Sequence, residues 1–358
     1  MNWIYTDFDL EVRSDGTIEA RAADAGEVQA RFDLRMTELG LALRLIEAEP
    51  GGQTNESLLK SFGNQLYRGL LPADIHTHFQ RTLAAARVAQ RGVRIRLNIE
   101  SLEWAALPWE LLYDLSTSTF LAQSPETVLS RYIDVPLPRR DVRPLNRPLR
   151  ILFAIARPQD CPPFDPEQEQ KLTNEALATH IADGTVAIDF LDHATPQKIR
   201  WKLREQDYTV FHFVGHGVFQ DDRGRIALES DDGMAQYLDE EAFGAFFLGE
   251  RRVSLVMLHA CQGAKQSSMR PLAGVAAQLV ARGLPAVIAM GYPVVYSTAR
   301  LFSAEFYHAL AHGWPIDAAV QSARTAIAQE VGFNQRDFAT PILFMRAADG
   351  VILAAPGP

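Results

Sequence analysis

Two cysteines in 358 residues are too few for a disulfide framework. Cys161 and Cys261 read either as two free thiols in a reducing compartment or as one ordinary and one reactive thiol. No apolar run approaches 18 residues, so no membrane span is expected. The first residues, MNWIYTDFDLEVRSDG, lack the basic and apolar regions of a signal peptide, and a cytoplasmic location is expected. Positive charge is in deficit. The 35 Lys and Arg against 44 Asp and Glu leave a net charge of −9, which argues against gripping a nucleic-acid backbone. There is no internal repeat and no low-complexity tract. H-E-x-x-H, C-x-x-C, G-x-S-x-G and P-loop patterns are also missing, which removes the usual support for zinc-peptidase, serine-hydrolase and nucleotide-binding readings.

What is present is material for a core. The chain is 47% hydrophobic and 22% charged, with length for about two domains. The first fifty residues read as strand and turn, with Ser14-Asp15-Gly16 and Asp24-Ala25-Gly26-Glu27 as turn signals. Residues 56–90 carry apolar side chains at helical spacing, and Val93 to Ile99 alternate as a half-buried strand. Residues 134–148 hold several prolines and arginines without an apolar period and read as an extended linker. From Leu149 the character changes. Apolar runs at 149–156, 185–191, 208–214, 253–259 and 285–290 alternate with helical stretches, two of them opened by Asp165-Pro166 and Thr195-Pro196. Strands so apolar, spaced by helices, indicate a mostly parallel sheet covered on both faces.

In such sheets functional residues collect at the carboxyl ends of strands. Two predicted strand ends stand out: FHFVGHG (211–217) and LVMLHACQG (255–263). Each leads an apolar strand into a reactive side chain beside glycine. A thiol of ordinary pKa is mostly protonated at neutral pH and needs a neighbouring base. A histidine on an adjacent strand end would take that proton and return it to the leaving amine. Backbone N–H groups beside both would hold the oxyanion. His216 and Cys261 suit these roles. Taken alone, Cys261 would be a buried structural thiol, and His212 reads as a core histidine. A zinc site of His212, His216, His259 and Cys261 meets a spacing problem, since His212 and His216 in one extended strand lie roughly 13 Å apart.

The run His259-Ala260-Cys261-Gln262-Gly263, with His216 placed 45 positions before the cysteine, resembles the caspase pattern Q-A-C-[RQG]-G and departs only at its first position. The chain as a whole resembles the CHAT family, a bacterial branch of the caspase–separase peptidases. LPWELLYD (107–114), FHFVGHG, LVMLHACQG, GLPAVIAMGYPV (283–294), FYHALAHGWPIDAAVQSAR (306–324) and ATPILFMR (339–346) carry the likeness in order. The resemblance implies a caspase-like cysteine endopeptidase with His216 as base, Cys261 as nucleophile, and the N–H groups of Gly217 and Cys261 as oxyanion hole, needing no metal and no cofactor. It puts the primary specificity pocket at the turn after the first strand of the core. There Arg157 would favour an acidic residue and Asp160 a basic one. Asp222 and Tyr292 are further groove candidates by position. Where relatives often carry Asn or Ser, this chain has His259, either a core residue or a second titrating group near the thiol.

The fold class expected is therefore α/β. A β-rich and helical N-terminal region (1–148) precedes a caspase-like core (149–358) whose mostly parallel sheet is sandwiched by helices. A protein substrate is expected, with control by a regulatory protein partner or by the N-terminal region. A role in bacterial defence follows from the resemblance alone. The rival readings are a catalytically silent module that keeps the fold, against which stands the presence of both dyad residues, and a zinc hydrolase or scaffold, which a metal assay would reveal.

Overall fold

The computed structural model describes residues 4–23, 25–34, 36–48, 55–135, 144, 148–220, 223–249, 252–260, 271–292, 296–332 and 335–353. The chain forms two compact units. One comprises Met1–Tyr132 with Val320–Thr340, the other Ile133–Ala319 with Pro341–Pro358. The first unit thus ends at Tyr132 rather than at 148, and it takes in a segment from near the chain's end. Most of the expected linker, 136–143 and 145–147, lies outside the described residues.

In the first unit, strands β1 (Tyr5–Val12), β2 (Thr17–Ala22) and β3 (Gly26–Arg31) form an antiparallel meander. β4 (Gly92–Ile99) runs parallel to β1, and β7 (Thr127–Tyr132) parallel to β4. A short hairpin, β5 (Tyr113–Asp114) with β6 (Thr119–Phe120), stands apart. β1 alternates buried and half-buried residues along its whole length, as a strand with one apolar face does. Arg96 on β4 pairs with Asp7 and Asp9 of β1, so part of the opposite face is an ion-pair ladder.

α1 (Met36–Ala48) lies where the sequence reading expected strand and turn; Leu39 and Ile46 are its buried residues of helical spacing. The long helical stretch is two helices, α2 (Glu56–Leu70) and α3 (Ala73–Val88). Pro72 separates them, because a proline disfavours helical geometry in the residue before it. α2 packs very closely on the 109–113 segment. A Cβ at Gly63 would sit 2.2 Å from the Leu111 carbonyl oxygen, so only glycine fits. A short helix α4 (Leu102–Ala105) leads into LPWELLYD.

That motif is structural. Trp109 is fully buried and donates its indole N–H to the Trp104 carbonyl. Glu110 takes both ends of the Arg131 fork, at 3.0 and 2.7 Å, and Arg131 also donates to the Leu107 carbonyl. Burial works against ionising Glu110, but the charge and hydrogen bonds of Arg131 outweigh it and hold its pKa below the ordinary value. Arg324, wholly buried beside them in this unit, is brought down to about 10 by burial, with Glu110 opposing and Arg131 adding to the shift.

In the second unit five strands run parallel in the order β9 (Val186–Leu191), β8 (Leu149–Ile155), β10 (Val210–Gln220), β13 (Leu255–Ala260), β14 (Ala286–Met290), and β15 (Pro341–Met345) adds antiparallel to β14. One face, with Phe211, Phe213, Val256 and Leu258, joins a core with α6 (Pro196–Glu205), α7 (Glu240–Gly244) and α8 (Pro271–Ala281). The other face carries Phe153 and His212, which meet Tyr307 of α9 (Tyr296–Ala311); α5 (Pro166–Ala182) packs against α9. α10 (Ile316–Val331) follows, its residues from Val320 on belonging to the first unit. Asp165 caps α5 by accepting from the N–H groups of Glu167 and Gln168, and Thr195 caps α6, with proline at the first helical position in both.

β10 does not stop at Gly215, as the glycine suggested. It continues to Gln220 and pairs antiparallel with β11 (Arg223–Glu229), which pairs in turn with β12 (Ala235–Leu238). Gly215 is needed for close packing. A Cβ there would lie 2.6 Å from the Phe213 ring and 3.0 Å from the Ala156 carbonyl oxygen. Among the described residues no helix is long and apolar enough to cross a membrane.

Candidate active site

Because β9, β8, β10, β13 and β14 are parallel, their carboxyl ends share one edge of the sheet. The chain order turns there. β9 lies on one side of β8, and β10, β13 and β14 follow on the other, so the switch point falls between β8 and β10. Crevices at such points are where open α/β sheets bind ligands.

His216 sits at that point, where β10 changes partners. Its last described parallel pair with β13 is Gly215 with Ala260, and its antiparallel ladder with β11 begins at His216 opposite Ala227. The side chain is 2% exposed and lies within reach of the Pro162 backbone. Phe164, from the loop after β8, lies edge-on to the ring at 5.7 Å. Burial lowers the His216 pKa below 6.5, with the backbone of Pro162 working the other way. The imidazole is therefore neutral at pH 7 and able to accept a proton. Gly217 follows in the ladder opposite Ile226. Cys261 and Asp222 lie outside the described residues.

Arg157 and Asp160, in the turn after β8, have different engagements. The Asp160 carboxylate accepts the Ala235 N–H at 2.8 Å and so braces its loop against β12. Arg157 is exposed and anchored twice. Its backbone N–H donates to Glu229 at 2.7 Å, and its guanidinium donates to His193 Nε2 at 3.0 Å. An arginine has only donors, so Nε2 accepts and His193 carries its proton on Nδ1, which reaches the second oxygen of the buried Glu229 at 2.8 Å. His193 adopts φ 53°, a left-handed backbone rare outside glycine. Sequence reasoning named Arg157 but missed its partners His193 and Glu229. His193 follows the end of β9, and the strand-end rule applied to β9 would have found it. Glu229 closes β11, a strand that was not foreseen. Tyr292, two residues past β14, is buried.

The remaining histidines of the two strands are core residues. His212 is buried and hydrogen-bonds Tyr307 through Nδ1 at 2.9 Å. His259 is 4% exposed, with its ring 6.0 Å from that of His212, and burial brings its pKa to about 4. Cys161 is half-buried with its sulfur 4.0 Å from the Tyr237 hydroxyl, and burial raises its pKa, which makes it a poor nucleophile. Trp104 packs on Phe32 at 4.5 Å, whereas Trp201 is 55% exposed on α6.

The sequence matches the CHAT domain family over residues 60–341. No curated protein matches it. Similar solved structures include the separase–securin complex of Saccharomyces cerevisiae (14% identity, TM-score 0.40, covering 86% of this chain and 20% of that one). They also include the Arg-specific cysteine proteinase gingipain R (11%, 0.44, 86% and 80%) and caspase-1 of Spodoptera frugiperda (12%, 0.37, 63% and 97%). The chain thus spans about a fifth of the length of the separase chain it matches.

Proposed function

We propose that this chain, which belongs to the CHAT domain family, is a cysteine endopeptidase in which Cys261 attacks the scissile carbonyl of a protein substrate and His216 is its base. The supporting observation is the register of β10 on β13. Its last described pair is Gly215 with Ala260, and the next residue of each sequence is His216 and Cys261. Neighbouring strands lie about 4.8 Å apart, so the dyad asks only that the two chains stay adjacent for one more residue.

The chemistry then follows from the groups. Neutral His216 takes the thiol proton as sulfur bonds to the carbonyl carbon. The oxyanion is held by N–H groups, with Gly217 and Cys261 as donors. The C–N bond breaks as the imidazolium returns its proton to the leaving amine, giving a thioester. Water, deprotonated by His216, hydrolyses the thioester and frees the acid and the thiol. Specificity falls to Arg157, because Asp160 is committed to its loop. The His193 contact engages one donor of a guanidinium that carries five, and an acidic side chain before the cut bond fits the rest. Control falls to a protein partner or to the N-terminal region, in the cytoplasm of a bacterium using the enzyme in defence.

Mass spectrometry of proteins cut in cells expressing the wild-type chain, but not Cys261→Ala, gives substrate and site together. We expect cuts after Asp or Glu, kept in Cys161→Ala and lost in His216→Ala. A verified substrate cut at the wild-type rate by Cys261→Ala sinks the mechanism.

A further inference from the structure

At the other end of the helices that cover the sheet, three histidines meet. His180 lies in the last turn of α5, His308 in the last turn of α9, and His312 one turn further on. His180 Nε2 is 3.0 Å from His308 Nδ1, and the ring centroids are 5.1, 5.5 and 4.4 Å apart. One ligating nitrogen from each lies within 4.8 Å of the other two. We infer that these residues form a binding site for a divalent transition metal of imidazole preference, zinc first.

Four observations support the site. Nitrogens bound to one zinc at 2.0–2.1 Å with tetrahedral angles sit about 3.3 Å apart, inside the span already present. The spacing of His308 and His312, i and i+4 on one helical face, presents two ligands in the same direction. His312 Nδ1 donates to the His308 carbonyl at 2.8 Å, which fixes the tautomer and leaves Nε2 to ligate, the usual outer support of a metal-bound histidine. Two helix C-termini converge there, and their partial negative charge favours a cation. His180 is 8% exposed while His308 and His312 are exposed, so an ion could enter from solvent and keep a water. Three imidazoles suit zinc, nickel, copper or cobalt and not calcium or magnesium, which prefer oxygen.

The site is not part of the candidate active site. α5 starts just after the loop at the carboxyl edge of the sheet, and His180 lies 14 residues after its first residue, Pro166, about 21 Å along the axis. A metal there would fasten the end of α5 to the end of α9. The inference stands whether or not the chain is a peptidase.

The test uses tag-free, chelator-stripped full-length Cys261→Ala protein, so that no thiol at position 261 competes. Titration with Zn²⁺ alone should give one ion per chain, and Co²⁺ should give the visible absorption of a four-coordinate nitrogen site. At a hundredfold excess over Kd the melting temperature should rise by roughly 5 °C. His308→Ala and His312→Ala each should weaken binding at least tenfold and cut the rise by about half or more at the same zinc concentration, while His76→Ala, in the first unit, should not. Both variants alter exposed side chains, so folding is preserved even if His180→Ala misfolds. No stoichiometric binding, or binding unchanged in the His308→Ala, His312→Ala double variant, would reduce the trio to a plain histidine–histidine hydrogen bond and overturn the proposal.

Discussion

His212, His216 and His259 lie on one face of adjacent strands, since Val214 is paired with His259 and side chains alternate. Their surroundings separate them. His212 has Tyr307, and His259 is sunk in the core. His216 meets the Pro162 backbone and has a partner position next to it in the neighbouring strand. A base with a lowered pKa stays deprotonated further into acid. The acidic limb of kcat/KM against pH, measured on a peptide cut by the wild-type enzyme, should therefore have its midpoint below 6.5. A midpoint above 6.5 would mean that the resting dyad is a thiolate–imidazolium pair instead. His216 was legible in the sequence because a histidine between two glycines at the end of an apolar run has few structural explanations. His193 was not, because its role depends on Arg157 and Glu229, which are 36 residues away on either side and come together only in the fold.

β10 carries a parallel ladder on its first half and an antiparallel one on its second, with Gly215 at the change. Adding one methyl there forces the Phe213 ring or the Ala156 carbonyl to move, next to the histidine proposed as the base. Gly215→Ala should cost about 1–3 kcal/mol by urea denaturation, as overpacking does, and should lower kcat more than it raises KM. An unchanged kcat with lost stability would show that His216 is positioned independently of the strand. The parallel strands were readable because burial on both faces makes them continuously apolar. The β11–β12 hairpin was not, because the glycine needed for close packing looks in sequence like a glycine that ends a strand. α1 was missed for a similar reason: among its described side chains only Leu39 and Ile46 are fully buried, too few to set a period.

At the scale of the molecule, buried neutral histidines couple stability to pH. The unfolded chain protonates histidine near 6.5, whereas folded His259 does so only at about 4. Between these values the unfolded state binds more protons, so the stability present above pH 6.5 is lost as pH falls toward 4. The loss from His259 amounts to roughly 3 kcal/mol, and His212 adds to it in the same direction. Glu110, with its lowered pKa, contributes stability that is present above the ordinary carboxylate value and is lost only as pH falls below it. Urea midpoints measured from pH 7 to 4 should fall for the wild type and fall less for His259→Asn. Parallel curves would show that His259 does not titrate with unfolding.

The Glu110–Arg131 pair has a consequence for how such chains change over generations. Removing either partner strands a buried charge at about 3–5 kcal/mol, a large share of the 5–15 kcal/mol that typically holds a domain folded. A lineage that replaces one residue must therefore pass through a scarcely folded ancestor, or change both positions together. The two should be inherited as a single character, kept as a pair or lost as a pair, and the persistence of LPWELLYD would record that barrier rather than any contact with substrate.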